Sequence, residues 1–196
     1  MTSIHPIEAE SYRILAERVD LGRFGPLAAA VVARVIHASA DLDYADTMVL
    51  DEAAVGAGVV ALAGGAPVVV DVEMVRHGIS AVDARCYLPT SAAAGATTTR
   101  SAAGIAQAAE RHPQGAVVVI GCAPTALDEV VRLYEAGRFR PALVVGLPVG
   151  FVGAAESKAR LRASGLPAIS NVGEKGGSAV AAAAANALLR LGAARG

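Results

Sequence analysis

Ala116-Val117-Val118-Val119-Ile120-Gly121-Cys122-Ala123-Pro124-Thr125 is the stretch that decides the fold class. Its apolar run is nearly all β-branched and does not alternate with polar residues. That is the pattern of a strand covered on both faces. Gly121-Cys122-Ala123-Pro124-Thr125 then turns the chain directly towards a helix. A helix over 126–136 follows, with Gly137 as its stop. The unit then recurs. Residues 142–145 read as a strand, 146–153 as a glycine-rich loop and 155–163 as a helix. Residues 167–169 read as a strand, 171–178 as a second glycine-rich loop, and an Ala-rich helix runs to about Leu191. Upstream, 67–72 is another β-branched strand. A repeat of roughly 25 residues predicts right-handed crossovers, hence a mainly parallel sheet in a three-layer α/β fold with helices on both faces. Ligands of such sheets bind beyond the carboxyl ends of the strands. The loops at 121–125, 146–153 and 171–178 fall at that edge, and their glycines admit close backbone approach.

The N-terminal region departs from this repeat. A first helix is expected over 3–20, with Pro6 in its first turn and Glu8 and Glu10 early, where the helix dipole favours them. Ser11 lies mid-helix, a position where serine is ordinarily only tolerated at a surface. After a turn at 21–25, Pro26 opens a second helix to Ala40. At about 100° per residue, Val31, Val32 and Val35 fall on one side, with Ala28 one turn earlier. Arg34, His37 and Asp41 fall on the other, flanked by the small Ala30 and Ala33. That face reads either as a groove holding an anionic ligand against a titratable ring or as a solvated helix face. Asp41 is placed to support a charged imidazole if the helical spacing holds.

Between these regions, 47–50 and 86–88 read as short strands, and Asp51 caps a helix ended by Gly64-Gly65. Thr97-Thr98-Thr99-Arg100-Ser101 precedes a helix over 102–111. Hydroxyls and a guanidinium at a helix N-terminus suit an anion, and they suit ordinary capping equally well.

Composition removes several function classes. The chain of 196 residues is expected to form one domain, residues 1–196, with the helices of residues 1–40 carrying Ser11, Arg34 and His37. With 54% hydrophobic residues and 4% aromatics, the core must be aliphatic, and a stacking platform for nucleic-acid bases is not expected. A net charge of −1 leaves no basic footprint for a phosphate backbone. Only Lys158 and Lys175 of the 17 basic residues are lysines, and Arg suits bidentate capture of carboxylates. Cys86 and Cys122 have no paired spacing, which fits a reducing cytoplasm rather than a disulfide or structural zinc framework. No secretory signal pattern is visible, and no apolar run approaches the roughly 20 residues of a membrane span. Gly146-Leu-Pro-Val-Gly-Phe-Val-Gly153 is not the dinucleotide fingerprint, and no P-loop, H-E-x-x-H or nucleophile elbow is present. His5, His77 and His112 have no partners at useful spacing. No metal site and no cofactor are expected.

Arg34-Val-Ile-His37-Ala, Gly65-Ala-Pro-Val-Val-Val-Asp71-Val-Glu-Met74-Val, Thr99-Arg100-Ser101-Ala-Ala and Ala123-Pro-Thr-Ala-Leu127 together resemble the precorrin-8X methylmutase (precorrin isomerase) family. So do Pro148-Val-Gly-Phe-Val-Gly-Ala-Ala-Glu-Ser-Lys158 and Gly176-Gly-Ser-Ala179, and the matches run in order over nearly the whole chain. The resemblance implies a flavodoxin-like α/β protein and a cofactor-independent isomerase of cobalamin biosynthesis. It converts precorrin-8X to hydrogenobyrinic acid by moving a methyl group from ring carbon 11 to ring carbon 12, in a step that looks like a 1,5-sigmatropic shift. It implies a homodimer with the site near the subunit interface and a polycarboxylate tetrapyrrole as substrate. It assigns catalysis to His37 and substrate contacts to Arg34 and Ser11. Thr99, Arg100 and Ser101 are inferred as carboxylate binders from the matched motif. Cys122 departs from the family's usual Asn, removing one polar contact from a loop at the ligand edge, and 78–96 is less similar.

Imidazole is the side chain that titrates near neutrality. On that reading His37 gives a proton to the ring, at nitrogen, and takes it back after migration. A non-catalytic tetrapyrrole carrier, a cobalt-precorrin-8 methylmutase and, from fold analogy alone, a nucleotide-dependent enzyme are the competing expectations.

Overall fold

A computed structural model describes residues 5–91 and 97–194. The chain opens with α1 (Pro6–Arg18), α2 (Pro26–Ser39), α3 (Tyr44–Thr47), β1 (Met48–Leu50) and α4 (Glu52–Ala63). It continues with β2 (Val68–Val70), α5 (Glu73–Gly78), β3 (Arg85–Cys86), α6 (Arg100–Arg111), β4 (Val117–Ile120) and α7 (Pro124–Glu135). β5 (Leu143–Gly146), α8 (Ala154–Ala163), β6 (Ala168–Asn171) and α9 (Ser178–Ala193) complete it. The short helices α3 and α5 were not expected, because neither is long enough to show a 3.6-residue pattern. β3 lies one residue earlier than expected. Part of the less similar region 78–96, at 92–96, lies outside the described residues.

The six strands form one sheet in the order β1-β6-β5-β4-β2-β3. β2 to β6 are parallel neighbours, in the flavodoxin-like order with the switch point between β2 and β4. β1 is added antiparallel on the outer side of β6. The strand repeat explains the layers. Along β4, Val117 and Val119 pack into one apolar layer with Val31, Val35, Val59 and Leu188 of α2, α4 and α9. Val118 and Ile120 point the other way, onto Ile105, Leu127, Val130 and Leu161 of α6, α7 and α8. Both layers are largely aliphatic, with Phe139 and Tyr44 the buried aromatic rings among the described residues.

α2 is held at its start from outside itself. The carboxylate of Glu52 accepts the N–H groups of Leu27 and Ala28 at 2.9 and 3.0 Å, satisfying donors that a helix leaves free. Among the described residues no helix is long and apolar enough to cross a membrane.

Candidate active site

α1 and α2 pack together, and their contact places the sequence-predicted residues side by side. Ser11 Oγ lies 2.8 Å from Nδ1 of His37. The ring of Tyr12 stacks on the imidazole, with centroids 4.9 Å apart and planes 14° from parallel. One nitrogen and the ring plane are thereby set, while Nε2 has no hydrogen-bond partner among the described residues. The hydroxyl tolerates proton traffic: an imidazolium that gives up its Nε2 proton keeps Nδ1–H on Ser11 Oγ.

Arg34 stands one turn before His37. Its Nη1 donates to Glu8 Oε1 at 2.7 Å, and Arg190 of α9 donates to the same oxygen at 2.8 Å. The hydrogen bond from Arg190, aided by the two guanidinium charges, holds the Glu8 carboxyl below its ordinary range against the opposing effect of burial. Arg34 Nε is buried without a partner among the described residues. A cavity of about 320 Å³ opens here between α1, α2 and α9, with Tyr12, Ala30, Ala33, Arg34 and Arg190 in its wall. Ala30 and Ala33 flank Arg34 in that wall, as the helical spacing implied, but Arg34 is itself largely covered and paired with Glu8. His37 is not part of that wall.

Asp41 does not join the face. α2 ends at Ser39, and Ala40 adopts a left-handed conformation with φ 54°. Beyond that break the helical spacing no longer applies. Asp41 turns to Lys175 of the β6–α9 loop, 2.7 Å away, and so does not support the imidazole.

Thr99, Arg100 and Ser101 form a separate cluster at the start of α6. Thr99 caps the helix, accepting the Ala102 N–H at 3.3 Å, and shares a 2.7 Å hydrogen bond with Thr125. Arg100 Nε donates to the carbonyl of Pro89 at 2.7 Å. A cavity of about 510 Å³ between α6 and α7 includes Thr99 and Thr125 in its wall, along with Arg132 and Arg160. Asp128, Glu129 and Glu135 share that wall, and Glu129 and Asp128 pair with Arg132 and Arg160. The geometry thus shows capping by Thr99 and, among the described residues, leaves no free cation of this wall for an anion. This cluster belongs to the α6/α7 layer and His37 to the opposite one; no hydrogen bond or ion pair among the described residues joins them.

Sequence reasoning missed Asp71. It follows β2, is 2% exposed, and accepts the N–H groups of Gly121, Cys122 and Ala123 at 3.1, 2.8 and 2.9 Å. Burial pushes its carboxyl upward, and those three bonds oppose the shift. The loop entering α7 is thus not open to a ligand's phosphate, because the chain's own carboxylate occupies its amides. Gly121 is required there: a Cβ would come within 2.7–2.9 Å of Val75, Ala181 and Ser178. The Cys122 side chain is exposed, and its backbone serves Asp71. A fully apolar strand that ends in Asp at the carboxyl edge was the available signal.

The remaining histidines are placed as follows. His5 caps α1, and His77 is exposed beside Glu73. His112 does have partners, which spacing did not show: Tyr87 Oη at 2.8 Å and Arg85 Nη1 at 3.2 Å. Burial, with Arg85 and Arg111 nearby, lowers its titration.

Comparisons with known proteins converge on the family suggested by the motifs. A family model described as precorrin-8X methylmutase matches residues 6–191. The cobalt-precorrin-8 methylmutase of Methanothermobacter thermautotrophicus is 40% identical over 193 residues, covering 95% of this chain and 93% of its own. The precorrin-8X methylmutase of Pseudomonas aeruginosa is 44% identical over 167 residues, covering 79% of this chain and 80% of its own. A solved structure of precorrin-8X methyl mutase from Thermus thermophilus superposes with a TM-score of 0.87 at 39% identity over 97% of each chain.

Proposed function

The chain belongs to the precorrin-8X methylmutase family, and from that premise we propose that His37 is the proton donor and acceptor of its methyl shift. The enzyme is an isomerase, an intramolecular transferase of cobalamin biosynthesis that moves a methyl group on a corrin precursor to the neighbouring ring carbon. One carbon–carbon bond breaks as another forms, so no electron or atom is gained or lost. What the protein must supply is the reactive tautomer and a fixed macrocycle. The observation that carries the assignment is the imidazole clamped between Ser11 and Tyr12 with Nε2 uncommitted. Nε2 gives its proton to a ring nitrogen before migration and recovers it afterwards, while Ser11 keeps hold of Nδ1.

Arg34 binds a carboxylate of the substrate from the same helix face. Thr99, Arg100 and Ser101 bind others at the start of α6. The two clusters lie in opposite helix layers, which fits a homodimer whose interface brings both to one macrocycle. The reaction needs no cofactor, and the reducing cytoplasm is its compartment.

Relatives of both names occur among those above, so metal-free and cobalt-bearing corrin precursors are both substrates to test. The assay is a visible-absorbance time course of purified protein with precorrin-8X and, separately, with cobalt-precorrin-8. Conversion that vanishes in His37→Ala supports the proposal. Binding without conversion of either compound would replace the enzyme by a carrier, and full activity in His37→Ala would remove His37 from the chemistry.

A further inference from the structure

Lys158 is the one charged residue of α8 with no exposure, and the mechanism proposed above assigns it no part. Its ammonium meets no carboxylate within ion-pair distance among the described residues. Nζ donates instead to Asn171 Oδ1 at 2.9 Å and to the backbone carbonyl of Lys175 at 2.6 Å. Asn171 Nδ2 donates to that same carbonyl at 2.9 Å. A buried cation spent on an amide and a carbonyl is costly to keep, so its product must be the shape of the loop it holds. Burial, with Arg162 beside it, lowers the ammonium to about 8, a measure of that cost.

The loop so held, between β6 and α9, reaches two other segments. Towards β5, the N–H groups of Gly150 and Gly177 bond across to Glu174 and Leu147 at 3.1 and 2.8 Å. The approach is so close that a Cβ on Gly176 would run into the carbonyls of Leu147 and Pro148. Towards α2, Lys175 Nζ bridges Asp41 and Asp43 at 2.7 and 2.6 Å. Asp41 begins the segment that leaves the helix bearing His37, and Glu52 already pins the other end of that helix.

We propose, on the reading that His37 is catalytic, that Lys158 and Lys175 form a latch that positions the C-terminal end of α2 and hence the imidazole. Both are positioning residues: the buried lysine sets the loop, and the exposed lysine passes that setting to Asp41 and Asp43.

Lys175→Met tests the outer half without touching the core. Exposed ion pairs are individually weak, so kcat for the corrin precursor is expected to fall only about three- to tenfold, with KM and the unfolding temperature nearly unchanged. Asp41→Asn should give a similar loss, and the double variant should be little worse than either single one. Lys158→Met should cost more, on the order of 10- to 100-fold in kcat. Amide exchange at Ala40, which bonds to Ile36, should quicken in Lys175→Met and Lys158→Met alike. That readout needs no turnover, so it separates failure of the latch from failure of the assigned activity. Unchanged Ala40 exchange in both variants, or multiplicative losses in the double variant, would overturn the latch.

Discussion

Two regions of the molecule, the switch point of the sheet and the α1/α2 contact, treat their polar groups in opposite ways. At the switch point between β2 and β4, three backbone amides that could greet a ligand are closed by Asp71. Between α1 and α2, outside the repeating strand–helix unit, Arg34 lines a cavity and its buried Nε has no partner among the described residues. The fold's customary anion position has become internal structure, and the proposed catalytic residues lie instead on the two helices that precede the parallel sheet. A nucleotide's phosphate at this position would have to displace a buried carboxylate, so the loop entering α7 offers it no site.

The contrast predicts opposite signatures for its two key residues. His37→Ala should lower turnover by about 10² to 10⁴ and leave the unfolding temperature in place. Asp71→Ala should do the reverse, leaving three amides unpaired and costing about 3 kcal/mol or more, read as a drop of roughly 10 °C in the unfolding temperature. An Asp71→Ala protein that melts like the wild type would dissolve the distinction.

A mixing experiment sharpens the division between helix layers. If one macrocycle is bound by His37 of one protomer and the α6 cluster of its partner, two inactive variants complement each other. Refolding His37→Ala with Thr99→Ala/Arg100→Ala should then restore about a quarter of wild-type activity, the share of sites built from two intact halves. No recovery would place both clusters on one protomer's site.

Smaller effects test the clamp itself. Ser11→Ala removes one hydrogen bond to the imidazole and should cost about three- to tenfold in kcat, with no change in stability beyond about 1 kcal/mol. For Glu8 the sign follows from its lowered titration. Its ion pairs are fully present above the ordinary glutamate range and are lost as pH falls through the lower folded-state value. Protection of α1 amides, taken relative to the intrinsic exchange rate at each pH, should therefore hold on mild acidification and drop only in stronger acid. Glu8→Gln should abolish that dependence.

Much of this was legible beforehand because it depends on neighbours in the chain. The β-branched run at 117–120 needs cover on both sides wherever it lies, and Val31, Val32 and Val35 share a face by geometry alone. The resemblance to the family likewise singles out Ser11, Arg34 and His37 as candidates, and the structure brings Ser11 and His37 into contact. The expected role for Asp41 failed at a local event that composition hides, the left-handed turn at Ala40.

Sequence by itself thus determined the class of fold and the aliphatic layers, and it nominated the residues of the candidate site. Only the tertiary structure decided their partners. Ser11 meets His37 across 26 residues, Asp71 meets its amides across about 50, Asp41 meets Lys175 across 134 and Glu8 meets Arg190 across 182. Burial of an apolar stripe is a property each element carries with it. A polar contact needs two particular atoms within 3 Å or so, and that distance exists only once the strand order and helix layers have been chosen.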